Sequence, residues 1–216
     1  MIKKWLLSHD SMYTLVIRIL NLFGHNSRMR GAHPSVWLKR TKVIDKGNGN
    51  TVTIDRKSKL RNCTFKFYGS NNRVIIGERC SLSHLTVWIE DDNNCVQIAK
   101  NTTVHGTTGL ACIEGCRIEI GEDCMFSSNI HFRTGDSHSV VDLDGHRINP
   151  SRDIVIGDHV WIGHNAIVCK GVTVADHSIV GAGSVVTRRF EQDHVAIGGN
   201  PAKIIKENVD WKRERI

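Results

Sequence analysis

An aliphatic residue recurs at every sixth position through the second half of the chain: Ile156, Ile162, Val168, Val174, Val180 and Val186. A Gly, Ala or Cys follows each of the first five, as in the blocks IGDHVW, IGHNAI and VADHSI. A residue repeated every six positions cannot stay on one face of an α-helix, which has 3.6 residues per turn. It can line the inside of a three-sided coil with six residues per side. The pattern therefore predicts an all-β fold, a parallel β-helix built from hexapeptide repeats.

A second repeat, of 22 residues, occupies the first half of the chain. It aligns two series of aliphatic residues. One series is Val52, Val74, Val96 and Ile118, and the other is Ile54, Ile76, Ile98 and Ile120. We interpret each repeat as one coil of about 18 residues with about four more at a corner. An antiparallel β protein with Gly and Asn turns would also space its strands regularly, but the fixed six-residue step argues against it. The interval of 36 between Ile120 and Ile156 predicts one coil that carries a long excursion, at about residues 133–153.

Three regions follow along the 216 residues. Residues 1–31 lack the repeat and are predicted to form an N-terminal helical appendage, residues 32–206 the β-helix domain, and residues 207–216 a short, helical C-terminal tail. The apolar run at residues 12–23 contains Arg18 and Asn21, is too short to span a membrane and does not resemble a signal peptide. We expect this helix to pack on the coil end or a neighbouring subunit, or else to make peripheral contact with a membrane surface.

The net charge and the cysteine content limit which binding partners and metal sites are expected. A net charge of +7 favours anionic partners, but the basic residues are scattered and no nucleic-acid-binding motif occurs, so nucleic acid is not expected. Of seven cysteines, Cys80 and Cys124 take the repeat position that Ser58 and Thr102 hold elsewhere. A free cysteine behaves as a small buried hydrophobe. We therefore expect reduced thiols, no metal site and a cytoplasmic location.

The segment IVIGDHVWIGHNAIVCKGVTVADHSIVGAGSVVTR, followed by IGGNPAKIIKE, resembles the hexapeptide-repeat O-acetyltransferases. The order GEDCMFSSN, TGDSH, DLDGHRINP is most similar to the capsular polysaccharide and sialic-acid O-acetyltransferases. The resemblance implies a left-handed β-helix, a homotrimer, and acetyl-CoA as the acetyl donor without a metal. It also implies that residues 32–206 form an acyltransferase domain that modifies a carbohydrate hydroxyl in capsule, O-antigen or exopolysaccharide.

The resemblance also assigns a catalytic loop. It makes His138, in TGDSHS, the general base, and an imidazole suits that task because its pKa lies near neutrality. Asp136 is a candidate to orient His138 or, alternatively, a turn-capping residue. Trp161 stands at an outward repeat position and by resemblance lines the transfer site; plain trimer packing is the alternative. The other histidines of the later coils, His159, His164 and His177, fall at exposed positions of the repeats.

Acceptor and donor contacts are expected on either side of this loop. Asn129 is a candidate to hold the acceptor hydroxyl; the alternative is that it only forms a corner of the coil. Arg147 is a candidate to attract a sugar carboxylate; the alternative is that it is a solvated surface charge. The resemblance implies that the donor contacts five residues of the later coils: Gly163, Ala182, Arg188, Pro201 and Lys203. Arg189 and Phe190 stand where many relatives have an acidic-Pro stretch, which puts the role of Arg188 in question.

Two other functions remain open from the sequence. The same fold serves N-acetylation of an amino sugar or a nucleotide sugar, and a non-catalytic β-helix scaffold subunit would need no base at all. The absence of a nucleotide-binding domain before the coil favours a polymer or simple sugar as the acceptor, and His138 argues against the scaffold.

Overall fold

The computed structural model describes residues 10–23 and 29–216. The second range winds as a left-handed parallel β-helix, which confirms the predicted all-β class and the coil architecture. The first range is a single helix, α1, at Asp10–Phe23. No helix among the described residues is both long and apolar enough to cross a membrane.

The coil has three sheets, each formed by one side of the successive turns. The first sheet contains β1 (Trp37–Lys39), β4 (Lys59–Arg61), β7 (Ser81–Ser83), β10 (Thr103–Val104), β13 (Met125–Phe126), β16 (Trp161–Ile162), β19 (Ile179–Val180), β21 (Val195–Gly199) and β22 (Ala202–Glu207). The second contains β2 (Lys42–Asp45), β5 (Thr64–Phe67), β8 (Leu85–Ile89), β11 (Thr108–Cys112), β14 (Ile130–Arg133), β17 (Ile167–Val168) and β20 (Val185–Val186). The third contains β3 (Thr51–Ile54), β6 (Arg73–Ile76), β9 (Cys95–Ile98), β12 (Arg117–Ile120), β15 (Ile154–Ile156) and β18 (Thr173–Val174).

The strand register reproduces both sequence repeats. Val52 pairs with Val74 across one early turn, a step of 22 residues, and Ile156 pairs with Val174 across one later turn, a step of 18. Ile120 pairs directly with Ile156, so the excursion lies within one turn, as predicted. The repeat aliphatics point inward and are almost fully buried, and their stacking forms one continuous core.

Small polar side chains fill the inward corner positions between turns. Ser58 Oγ donates a hydrogen bond to the Gly77 carbonyl and accepts one from the Cys80 amide. Thr102 repeats this arrangement two turns later, against Gly121 and Cys124. Each hydroxyl thereby satisfies buried backbone groups that the turn leaves unpaired. All seven cysteines are free and six of them are buried, and burial raises the pKa of Cys80 to about 12, so that thiol stays protonated at neutral pH.

Helix α1 lies against the first turn of the coil. Its Tyr13 and Ile17 side chains are buried, and pairing of the coil begins with a bridge between Ala32 and Ile54. The first nine residues, with the apolar Trp5 to which the helix prediction extended, lie outside the described residues. Away from these two, the described side chains of α1 include five large apolar ones that are exposed, Met12, Leu15, Val16, Ile19 and Leu20.

The prediction of a helical C-terminal tail is wrong. After β22 the described chain continues without helix to its end, and it lies along the coil instead. Trp211 is buried, and its Nε1 donates to the His159 carbonyl at 2.7 Å. Two residues later, Arg213 donates to the Asp123 carboxylate at 2.8 Å. An α-helix would point residues two apart in different directions, so these two anchors on one surface favour an extended backbone.

Candidate active site

The three edges of the coil separate the predicted site residues. The edge between the second and third sheets carries residues 134–153, the excursion, and residues 169–172 of the next turn. The edge between the first and second sheets carries residues 127–129, 163–166 and 181–184. His138 and Trp161 therefore stand on opposite parts of the prism, since Trp161 lies in the first sheet and His138 at the edge facing away from it.

His138 lies at the base of the excursion with its side chain exposed. The backbone before it turns sharply, because Ser137 adopts a φ of 63°. The His138 carbonyl accepts a hydrogen bond from Asn149 Nδ2 at 2.8 Å. Within the described residues the His138 ring makes no hydrogen bond, so the backbone is fixed while the imidazole remains available to a substrate.

Asp136 anchors the excursion to the coil. Its Oδ2 accepts hydrogen bonds from Lys170 Nζ at 2.5 Å and from Asn149 Nδ2 at 2.8 Å. The Lys170 ammonium, helped by Asn149, lowers the pKa of Asp136, so the carboxylate is ionised at neutral pH. Among the described residues no hydrogen bond joins it to the His138 ring. The structure thus gives Asp136 the partners of an anchor and does not bring it into contact with the imidazole that it is predicted to orient.

Asn149 and Arg147 complete the anchoring of the excursion. Asn149 is 9% exposed, and its Oδ1 accepts from the Val140 amide at 2.7 Å. Arg147 donates to Glu114 Oε1 at 2.6 Å, and this contact with the preceding turn lowers the pKa of Glu114. Arg147, a predicted acceptor contact, is therefore committed to an ion pair in the isolated chain.

The outer part of the excursion is a β-hairpin with an apolar tip. Val141 and Arg147 form its antiparallel bridge, and Asp142 Oδ1 accepts from the His146 amide at 2.8 Å to close the turn. Leu143, at the tip, is fully exposed. Val140, Val141 and Ile148 are also exposed, so the hairpin presents several apolar side chains to solvent.

Trp161 points outward from the first sheet, as the repeat predicts. It stands in register between Met125 of the preceding turn and Ile179 of the next, and its side chain is 37% exposed. Its ring centroid lies 6.4 Å from that of Trp211 in the tail. Asn129 adopts a φ of 56° and donates to Asn165 Oδ1 at 2.6 Å, so in this chain it forms part of a coil corner.

The predicted donor residues divide into packing residues and surface residues. A Cβ added to Gly163 would lie 2.7 Å from the Ala182 amide nitrogen, so close stacking of successive turns requires glycine here. Gly183, at the same edge, has a φ of 70° and open space around it.

The other three donor candidates lie in the last turns. The exposed Arg188 guanidinium lies 5.2 Å from the Phe190 ring, and Phe190 enters the core with a bridge to Val174. Pro201 follows a cis peptide bond in the turn between β21 and β22, where Lys203 pairs with Gly198. Phe190 thus fills the core of the last turn.

Sequence reasoning missed the residues that position the excursion. Lys170, Asn149 and Glu114 lie between 13 and 37 residues away from their partners Asp136 and Ser151. No spacing rule connects such pairs, so a single sequence gives no signal for them.

The family described as bacterial transferase hexapeptide (six repeats) matches residues 153–188. A polysialic acid O-acetyltransferase of Neisseria meningitidis is 33% identical over 192 residues, which cover 79% of this chain and 89% of that protein.

Two solved structures are also similar. The polysialic acid O-acetyltransferase OatWY has a TM-score of 0.73 at 29% identity and covers 82% of this chain and 90% of its own. The polySia-specific acetyltransferase NeuO has a TM-score of 0.65 at 32% identity and covers 81% of this chain and 83% of its own.

Proposed function

The chain belongs to the hexapeptide-repeat O-acetyltransferases, and we propose from that premise that it moves acetyl from acetyl-CoA to a hydroxyl of an anionic capsular polysaccharide, with polysialic acid as the first candidate. The net charge of +7 supports an acidic acceptor. The observation that carries the proposal is the anchored loop, which presents the free imidazole of His138 from a fixed backbone.

In the proposed reaction His138 is the general base. Its neutral imidazole takes the proton of the acceptor hydroxyl as that oxygen attacks the thioester carbonyl, and the C–S bond then breaks. The imidazolium returns the proton to the departing CoA thiolate. Without a base the hydroxyl is a weak nucleophile toward a thioester, so the residue must be within hydrogen-bond reach of the acceptor.

We further propose that the working site lies between subunits of a homotrimer. Trp161 faces away from the excursion of its own chain, so the excursion of one subunit meets Trp161 of the next. Trp161 and Ile167 are exposed on the coil, and Leu143 is exposed at the excursion tip, which leaves apolar surface on both sides of such an interface. A closed ring of three subunits, joined by identical head-to-tail contacts, would cover both of these apolar surfaces.

The donor is proposed to run along the edge between the first and second sheets. Gly163 and Ala182 would offer backbone groups to the pantetheine amides, and the open space at Gly183 admits a close approach. Lys203, beside Pro201, and Arg188 supply positive charge for the CoA phosphates. Asn129 and Arg147 remain the proposed acceptor contacts, and for Arg147 this requires that the acceptor compete with Glu114.

A location in the cytoplasm fits the seven free thiols and the supply of acetyl-CoA. The exposed apolar face of α1 is proposed to rest either on a neighbouring subunit or on a membrane surface. No metal is assigned a step in this reaction.

The test is a transfer assay with matched acceptors. The trimer is incubated with acetyl-CoA and either polysialic acid or a neutral glucan of similar length, and CoA thiol release is recorded together with the O-acetyl signals in the NMR spectrum of the polymer. We expect ester formation on polysialic acid, weakened by added salt because charge attracts the acceptor. Equal transfer to the neutral polymer, or to neither polymer, contradicts the proposed acceptor class.

A further inference from the structure

The edge between the third and first sheets carries a stack of histidines that the proposed reaction does not use. The ring centroids of His159 and His177 lie 5.2 Å apart, and those of His177 and His194 lie 4.7 Å apart. The C-terminal tail places Asp210 against this stack. The His159 side chain is only partly exposed, because Trp211 of the tail stacks on it, whereas 43% of the His177 side chain is exposed.

Two distances in this cluster have values that hydrogen bonding does not explain. Asp210 Oδ1 lies 3.6 Å from His159 Nε2, and Asp210 Oδ2 lies 3.5 Å from His177 Nδ1. Both exceed the range of about 2.7–3.2 Å for a hydrogen bond from nitrogen to oxygen. They are close to the separation of about 3.3 Å between two ligands of a tetrahedral ion with bonds of about 2.0–2.1 Å. The three ligand atoms all lie within 4.8 Å of one another.

The state of the two imidazoles supports a cation between them. His177 Nδ1 is buried and has no hydrogen-bond partner, although a buried polar atom normally has one. His159 Nδ1 lies 2.7 Å from Asp123 Oδ2, which favours the proton on Nδ1, while Nε2 lies 3.1 Å from the Trp211 carbonyl oxygen, within hydrogen-bond distance, and 3.6 Å from Asp210 Oδ1. A bound cation would take the place of the Nε2 proton that the contact with Trp211 requires. A carboxylate behind the second nitrogen is the usual support of a metal-binding histidine.

We propose that His159 Nε2, His177 Nδ1 and the Asp210 carboxylate bind a divalent transition-metal ion of the zinc class. Two imidazoles select such an ion over calcium or magnesium, which prefer all-oxygen ligands. The Trp211 carbonyl oxygen, 3.1 Å from His159 Nε2, can complete four-fold coordination. This site departs from the expectation, drawn from the cysteines and the family resemblance, that the protein has no metal site.

The ion would join the tail to the coil. Trp211 stacks on His159 with centroids 4.2 Å apart, and its ring lies beside Trp161. Occupancy of the site would therefore fix one wall of the surface around Trp161. The role is structural, and the site stands whether or not the proposed acetyl transfer is correct.

The experiment measures zinc binding by tag-free protein after dialysis against EDTA. Calorimetric titration with zinc chloride alone is expected to show one ion per chain. His177→Ala and Asp210→Asn should each weaken binding by more than about tenfold. The control is His146→Ala, which disrupts the exposed trio Asp142, Asp144 and His146 and should leave the titration unchanged.

A second measurement reports the place of binding. Zinc should slow amide hydrogen exchange in residues 208–213 of the unmodified protein and not in Asp210→Asn, whose exposed side chain is not needed for folding. Absence of binding below about millimolar zinc overturns the proposal. So does binding that survives both ligand substitutions, or that is lost in His146→Ala.

Discussion

At the scale of single residues, His138 and Asp136 are two positions apart yet have different surroundings. The Asp136 carboxylate is held by Lys170 and Asn149, whereas the His138 ring is exposed. This separation of an anchoring residue from a free imidazole is what a base on a positioned loop requires. Two substitutions at this scale test the roles of His138 and Trp161.

We expect His138→Ala to lower kcat by about a hundredfold to ten-thousandfold, the usual range for loss of a general base. The melting temperature should not change, because the ring is exposed and unbonded. Steady-state acetyl transfer is measured beside His84→Ala, an exposed histidine of an early turn that should retain full activity. A fall of less than about fivefold in a folded His138→Ala protein would exclude His138 as the base.

Trp161→Ala should impair transfer more than folding. The ring is outside the core, so its removal leaves no internal cavity, whereas misplacement of a substrate costs about a hundredfold in rate. Melting temperature and initial rate are measured on the same preparation. Trp37→Ala, at the other end of the same sheet, is the matched control with normal rate. A collapsed melting temperature with normal rate in the remaining trimer would make Trp161 a packing residue.

At the scale of elements, the excursion depends on two carboxylates whose pKa values are lowered. Arg147 lowers the pKa of Glu114, and Lys170 lowers that of Asp136. A carboxyl group whose pKa is lower in the folded than in the unfolded protein contributes its full stabilisation at pH values above the unfolded pKa, which is about 3.9 for Asp and about 4.3 for Glu. That stabilisation is lost as the pH falls through the folded pKa. Both side chains are partly exposed, so each contribution is modest.

The excursion should therefore stay anchored from about pH 5 upward and loosen only as the pH falls below about 3.9, through the lowered pKa values of the folded protein. Hydrogen exchange of residues 134–153, corrected for intrinsic rates, is compared with that of the coil strands as the internal reference. A double variant with Asp136→Asn and Glu114→Gln should already show the loosened excursion at neutral pH. Equal protection of the excursion at about pH 6 and at about pH 2.5, with the coil strands still protected, would contradict the assignment.

The elements also show which parts of the structure a single sequence can predict. The coil register follows from spacing alone, since each aliphatic of the series Ile156, Ile162 and Val168 meets its equivalent one turn away. The tail could not be predicted, because Trp211 and Arg213 are fixed by the His159 carbonyl and the Asp123 carboxylate, 52 and 90 residues away. The position of the excursion follows from the long interval between Ile120 and Ile156, but the side chains that anchor it are not related by any sequence repeat.

At the scale of the whole molecule, the three-sided coil is the reason that we propose a site shared between subunits. The excursion with His138 leaves the edge between the second and third sheets, whereas Trp161 projects from the first sheet. His138 and Trp161 can cooperate only if the excursion of one subunit meets the first sheet of the next. Sedimentation velocity at micromolar concentration should accordingly show a trimer, and the charged substitution Leu143→Asp at the excursion tip offers a way to weaken it.

The most direct test of a shared site is activity in mixed trimers. His138→Ala and Trp161→Ala chains are co-expressed with different tags, purified as mixed and unmixed trimers, and assayed for acetyl transfer. In a ring of three heterologous contacts, each mixed trimer contains one complete site. When equal amounts of the two chains mix at random, the whole preparation should therefore recover about a quarter of the unmodified activity. The account predicts that recovery while each parent stays inactive. Mixed trimers as inactive as their parents would show that His138 and Trp161 act within one chain or not at all, and would contradict it.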